Sequence, residues 1–244
     1  MMQNKLSFLF VLGLFSNTAF AAHPLVTEDT GMQGLDKQQI ELNTDHVDFA
    51  GRRTQVSGLT YTYGLRDSID LYANLPLTWS QPSGINDLAL GTKILFLEKE
   101  ELKLAVKAEW QLPTGNAKKG LGSDSQDANL SLVGSYDLSD WTVQSNLALT
   151  THRFRDTISH KDSRSVVWRA STAVLYTIRP EWKVVADISI AQNELLSRRN
   201  AEVTRVIGII AAPTPDIDVD MGVQFVQHNT GLEKRWGAGL SLRY

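Results

Sequence analysis

Leu102–Leu112, LKLAVKAEWQL, alternates without a break. Leu102, Leu104, Val106, Ala108, Trp110 and Leu112 are apolar; Lys103, Lys107, Glu109 and Gln111 between them are polar, with Ala105 the neutral member. Successive side chains of a strand point to opposite faces, so this segment carries one apolar wall and one charged wall. A helix would mix Leu102, Ala105, Val106 and Glu109 on one side, which excludes an amphipathic helix. About eleven residues is also what a tilted strand needs to cross a bilayer. A strand of a soluble sandwich has the same pattern, so the reading depends on whether the chain repeats it.

It does. Segments 38–43, 55–63, 69–79, 88–96, 127–136, 141–150, 166–176, 182–191, 217–225 and 236–244 alternate in the same way. In 69–79, for example, Ile69, Leu71, Ala73, Leu75, Leu77 and Trp79 oppose Asp70, Tyr72, Asn74 and Thr78. Pro76 lacks a ladder donor and predicts a local irregularity there. Alternation loses phase over 45–49, which predicts a bulge or a strand end. Residues 204–212 are apolar on both faces, and their phase is set by sending Arg205 inward. The count comes to roughly twelve strands, an even number, as bacterial single-chain barrels require. The turns at 64–68, 97–101, 137–140, 178–181 and 213–216 are short; the connections 113–126, 151–165, 192–203 and 227–234 are longer and more polar, whereas 50–53 and 80–84 are short exceptions. Short turns on one side and long loops on the other fit an all-β, transmembrane, up-and-down antiparallel barrel.

The address agrees. Lys5 precedes the apolar run 6–15, and Ala19-Phe20-Ala21 fits a small-x-small cleavage pattern, so residues 1–21 read as a secretory signal peptide. The 244 residues contain no cysteine, which leaves neither disulfides nor a lipidated cysteine to hold the exported chain. No later segment has eighteen consecutive apolar residues, and in lipid only helices and closed barrels satisfy every backbone polar group. The net charge of −3 argues against nucleic acid as a partner. Residues 22–37 lack periodicity and read as an irregular lead-in to a barrel of residues 38–244. The aromatics Tyr63, Tyr136, Trp141, Tyr176 and Trp182 fall on the outward phase at the short-turn rim, the girdle of a membrane interface. The expected partners are therefore outer-membrane lipid and lipopolysaccharide.

On this phase Lys93, Lys103, Lys107, Glu109, Arg169, Lys183, Asp187, Asp218, Asp220 and Arg243 all face away from lipid. A basic residue facing the bilayer midplane costs about 2–4 kcal/mol, which is why the phase is assignable. In a wet lumen these charges would select a small-molecule solute; paired with one another they would fill it. The lead-in, with His23, Glu28 and Asp29, enters the lumen as a plug or gate or tethers at the rim. The same three groups form no metal or cofactor pattern beyond what a solvated tail shows. Residues 151–165, with His152, Arg153, Arg155, His160, Lys161 and Arg164, suit lipopolysaccharide phosphates or plain solvent. A lipid-modifying barrel enzyme needs a histidine on the outer wall beside a nucleophile, and both candidates, His152 and His228, fall on the lumen phase or in a loop.

Two stretches carry a family resemblance. Residues 23–34, HPLVTEDTGMQG, with the strand start at 39–42, resemble the opening motif of the outer-membrane "MetA-pathway of phenol degradation" transporter family. Leu112-Pro113-Thr114-Gly115 running to Lys119–Ser123, and the turn at 64–71, are similar to the same family's signatures. Met32 stands where a small polar residue is more usual. The resemblance implies a barrel that passes small solutes, with hydrophobic or aromatic compounds suggested by the family's name; a closed structural or lipopolysaccharide-interacting barrel is the alternative. Gly239, Leu242 and the terminal Tyr244 also resemble the insertion signal that the barrel assembly machinery reads in outer-membrane proteins, with Gly237 in place of the usual polar residue.

Overall fold

The computed structural model describes residues 23–155 and 160–244. The signal-peptide expectation for residues 1–21 lies outside them, as does part of the basic loop. The elements are β1 (Gln38–Phe49), β2 (Arg52–Arg66), β3 (Ile69–Thr78), the two-residue β4 (Gly84–Ile85), β5 (Leu88–Lys99), β6 (Leu102–Leu112) and β7 (Ser125–Leu138). They continue with β8 (Trp141–Phe154), β9 (Val166–Arg179), β10 (Trp182–Ala191), β11 (Glu202–Thr214), β12 (Ile217–His228) and β13 (Gly231–Arg243). Each long strand pairs antiparallel with its neighbours in sequence, and β1 pairs with β13, so among the described residues twelve strands close into one barrel. β4 hydrogen-bonds only to β3. Closure leaves no sheet edge, the condition for crossing lipid with strands.

The packing is inside out for a soluble protein. Leu130 and Leu132 on β7 are paired with Leu149 and Leu147 on β8, and all four are about half exposed. Inward-facing Ala105 and Val133 are fully buried. An outward apolar belt of this size exceeds what a monomeric soluble surface tolerates and defines a lipid-facing wall. No helix among the described residues is long and apolar enough to span a membrane. At the short-turn rim the rings of Trp141 and Tyr176 lie 4.5 Å apart on the outer face.

Three local expectations change and a fourth holds. β1 runs unbroken to Phe49 in register with β2, with no bulge at 45–49. Its phase is hard to read because its outward side turns polar near the outer rim, where His46 stacks on Trp236 at 4.0 Å. In β11 the assigned phase is reversed: Arg205 is exposed beside outward Ile188, while Val206 is buried. That strand is apolar on both faces because its inner face meets apolar residues of the chain's own lead-in. The connection at 227–234 is a tight turn, since β12 continues to His228 and β13 begins at Gly231. At Pro76 the expected irregularity is present: the β3–β5 ladder has ended at Asn74↔Ala89 and β3 passes on to β4, so the missing donor costs no bond on that side.

Candidate functional site

Residues 23–33 cross the lumen at the level of Lys107, the middle residue of β6, and bind the inner wall at almost every strand they pass. His23 Nδ1 pairs with Asp220 on β12, and its Nε2 lies 3.3 Å from Asp45 on β1. Pro24 rests against Gly208 and Gly222, where a Cβ would collide with its ring, so the glycines of β11 and β12 form a smooth seat. Gln224 Nε2 donates to the Pro24 carbonyl at 2.9 Å. Leu25 packs with Ala173, Leu175 and Val185, joined by Ile210, a second apolar anchor beside Pro24.

Polar clamps follow. The backbone N–H groups of Val26 and Thr27 donate to Asp187 Oδ2 at 2.7 and 2.8 Å. The Asn146 amide, oriented by its surroundings, accepts from Glu28 N and donates to Glu28 O. The Glu28 carboxylate pairs with Lys107, both side chains almost fully buried. Lys107 also stands 4.8 Å from the Tyr72 ring centroid, and the Tyr72 hydroxyl donates to Glu109 at 2.9 Å. Asp29 is 3.4 Å from Lys93, and Gln33 N donates to Asp70 at 3.2 Å. The segment then leaves past the Gly34 carbonyl, which lies against Gly64.

Burial alone pulls the His23 imidazole down, but hydrogen bonds and charge from Asp220 and Asp45 outweigh it and raise its pKa to about 9. Burial pushes the Glu28 carboxyl up, more than Lys107 and Lys93 bring it down. Burial acts the same way on Asp29, yet Lys93 and the Gly31 N–H win and hold it below the usual carboxylate range.

Of the charges read as lumen-facing, Lys93, Lys107, Asp187 and Asp220 touch the segment, and Glu109 supports it through Tyr72. Asp218 pairs with Arg243, which also donates to Gln39 at 2.9 Å, below the segment on the short-turn side. Arg169 lies in the outer half within electrostatic reach of Glu194 and Glu202. Lys103 and Lys183 stand at the short-turn rim: Lys103 pairs with half-exposed Glu98 at 2.9 Å, and Lys183 is exposed. Sequence reasoning passed over Asp45, Asp70, Asn146 and Gln224; the last three show only an inward phase, and Asp45 lies where the alternation lapses, with nothing local to reveal partners 22 or more residues away. Below the segment a cavity of about 500 Å³ opens between Glu41, Asp70, Asp218 and Arg243. Above it His152 faces Asp127 at 3.1 Å, and His228 sits between Glu202 and Glu233 at 3.3 and 3.4 Å. Both histidines are buried on the inner face.

The 112–123 motif has a structural role. Asp87 is buried and accepts from Gly115 N at 2.8 Å, Ser123 N at 2.7 Å and Ser123 Oγ at 2.9 Å, folding the loop over the β5–β6 end.

A closed antiparallel barrel with an apolar outer belt, aromatic rims and a charged inner wall is a bacterial outer-membrane β-barrel. The chain belongs to the family described as "Putative MetA-pathway of phenol degradation", whose model matches residues 29–244. No curated protein matches the sequence. Among solved structures the chain is similar to the COG4313 outer membrane channel from Pseudomonas putida F1, at TM-score 0.70 and 15% identity over 88% of this chain and 98% of that one. It is also similar to the NanC porin, at TM-score 0.64 and 13% identity over 83% and 98%, and to the KdgM porin, at 0.62 and 9% over 84% and 98%. At these identities the likeness concerns the fold.

Proposed function

We propose that the protein is an outer-membrane channel for small solutes whose lumen is gated by its own residues 23–33. The observation that carries this reading is the way the lumen is filled. A purely structural barrel fills its interior with wall side chains; here wall glycines seat, and wall charges such as Lys107, Asp187 and Asp220 bind, a separate segment of chain. Apart from Pro24 and Leu25, that segment is held by ion pairs and hydrogen bonds, contacts that water can replace when it leaves. The solved barrels of similar fold carry channel and porin names, which supports transport over catalysis.

The family description suggests aromatic compounds as solutes. A charged lumen with Tyr72 and Lys107 at its centre suits a small aromatic ring bearing a polar group, which has a face for the cation and an edge for hydrogen bonds. Insertion by the barrel assembly machinery through β13 and the adjoining Tyr244, and contact of the 151–165 loop with lipopolysaccharide, belong to the same reading.

Liposome swelling with solutes graded in size and charge tests it. Swelling that is size-limited, and faster for a chain lacking residues 23–33 than for the full chain, is expected. Absence of swelling in both, with both barrels folded, supports the closed structural barrel instead.

A further inference from the structure

We infer that the outer wall formed by β11, β12, β13, β1 and β2 is a binding site for a phosphorylated glycolipid of the outer leaflet. Arg205, Phe225, Lys234, Asp48 and Arg53 are successive cross-strand partners on the outward face, close to the ends that lead into the outside loops and turns. Arg205 and Lys234 are exposed, and among the described residues neither side chain has an ion-pair or hydrogen-bond partner. Arg53 is 3.5 Å from Asp48, so the row holds three cations and one anion. Near the outer ends of the opposite wall the outward partners Trp110, Ala128, Thr151 and Val166 are uncharged, and Arg153, one residue before the end of β8, is a single exposed cation beyond them, so it is the clustering of three cations in one row that sets this wall apart.

Directly beneath the row the wall is notched. One step down, His46 stacks on Trp236, and Trp79 is held by its indole N–H donating to Ser57 Oγ at 2.9 Å. Beyond them Ala238, Thr44 and Ser57 are partners across three strands, small side chains between bulky rows. They floor a groove of about 400 Å³ walled by Leu42, Leu59, Leu240 and Trp79. An apolar groove pointing down the lipid wall fits an acyl chain. Four residues along the strand from Thr44, at Asp48, is roughly 13 Å, the separation of a headgroup from the body of its chain. Arg205 and Lys234 stand two strands apart, as do Lys234 and Arg53, roughly 10 Å each. That spacing suits a headgroup with two separated phosphates, such as a disaccharide phosphorylated at both ends, better than one phosphodiester.

Native mass spectrometry of the full chain in mild detergent, titrated with bisphosphorylated lipid A, tests the site. One tightly held lipid per barrel is expected. Arg205→Gln with Lys234→Gln should weaken it by about tenfold or more, as loss of charge-assisted contacts to phosphate does. Ser57→Phe, which fills the groove and leaves the cations, should weaken it independently. Folding of each variant is checked by the mobility shift of unboiled samples. Wild-type affinity in both variants overturns the proposal, and so does equal affinity for dephosphorylated lipid A or for phosphatidylglycerol.

Discussion

Glu28 and Lys107, 79 residues apart in sequence, meet as an ion pair at the centre of the barrel, their side chains 6% and 4% exposed. The pair joins the lead-in to the strand with the clearest alternation in the chain. Removing one partner of a buried pair leaves an uncompensated charge and costs about 3–5 kcal/mol, whereas removing both costs much less. In this barrel that cost falls on docking of the segment, because Lys107 is a wall residue whose strand is held by its ladders to β5 and β7. Lys107→Ala should therefore leave the barrel folded, raise conductance and shift ion selectivity. The double variant Glu28→Ala/Lys107→Ala should open less often than either single variant, and single-channel recording reads both.

The opposite face of the same strand makes the contrast. Val106 lies one residue from Lys107 and points at lipid, paired with Ile94 and Leu132. Val106→Arg should cost about 2–4 kcal/mol and reduce the heat-modifiable, folded fraction. Equal folding defects in Val106→Arg and Lys107→Ala would refute the assignment of faces.

The glycine seat offers a lever without charge. A Cβ at Gly208 or Gly222 meets Pro24, with Val185 and backbone oxygens nearby. Gly222→Val should displace the first residues of the segment and increase liposome swelling, while valine in a strand leaves the ladder intact. Unchanged swelling in the folded variant would show that Pro24 does not seal the path.

Docking should also depend on pH. His23 has its pKa raised to about 9 when docked, so its contribution is complete below the ordinary imidazole value near 6.5 and is lost as pH rises through about 9. Asp29 is held below its ordinary value, so its contribution is present above that value and lost as pH falls through the lowered one. Open probability should rise above about pH 9, and the rise should vanish in His23→Gln. A flat profile from pH 7 to 10 would contradict the role given to His23.

The barrel was legible because lipid enforces one rule on every strand: Leu102–Leu112 shows it, and its repeats gave strand number, the inner face and the rims. Errors arose where that rule lapses. In β11, Ile210 is apolar on the inside because Leu25 packs against it, and no local pattern distinguishes that from lipid. In β1, His46 and Asp48 are polar on the outside because the strand there has left the hydrocarbon. Residues 23–33 carry no periodicity, since a segment that binds seven strands by backbone groups and single charges needs none; only their acids and histidine hinted at partners. The individual partners, such as Asp187 for Val26 N, follow from closure of the barrel and were not readable from either stretch alone.

The account rests on residues 23–33 closing a solute path through an otherwise open barrel. Planar-bilayer recording of the full chain against a chain lacking those residues tests this most directly, with gel mobility confirming that both are folded. A steady conductance in the shortened chain, well above that of the full chain, is the predicted result; the same low conductance in both would contradict it.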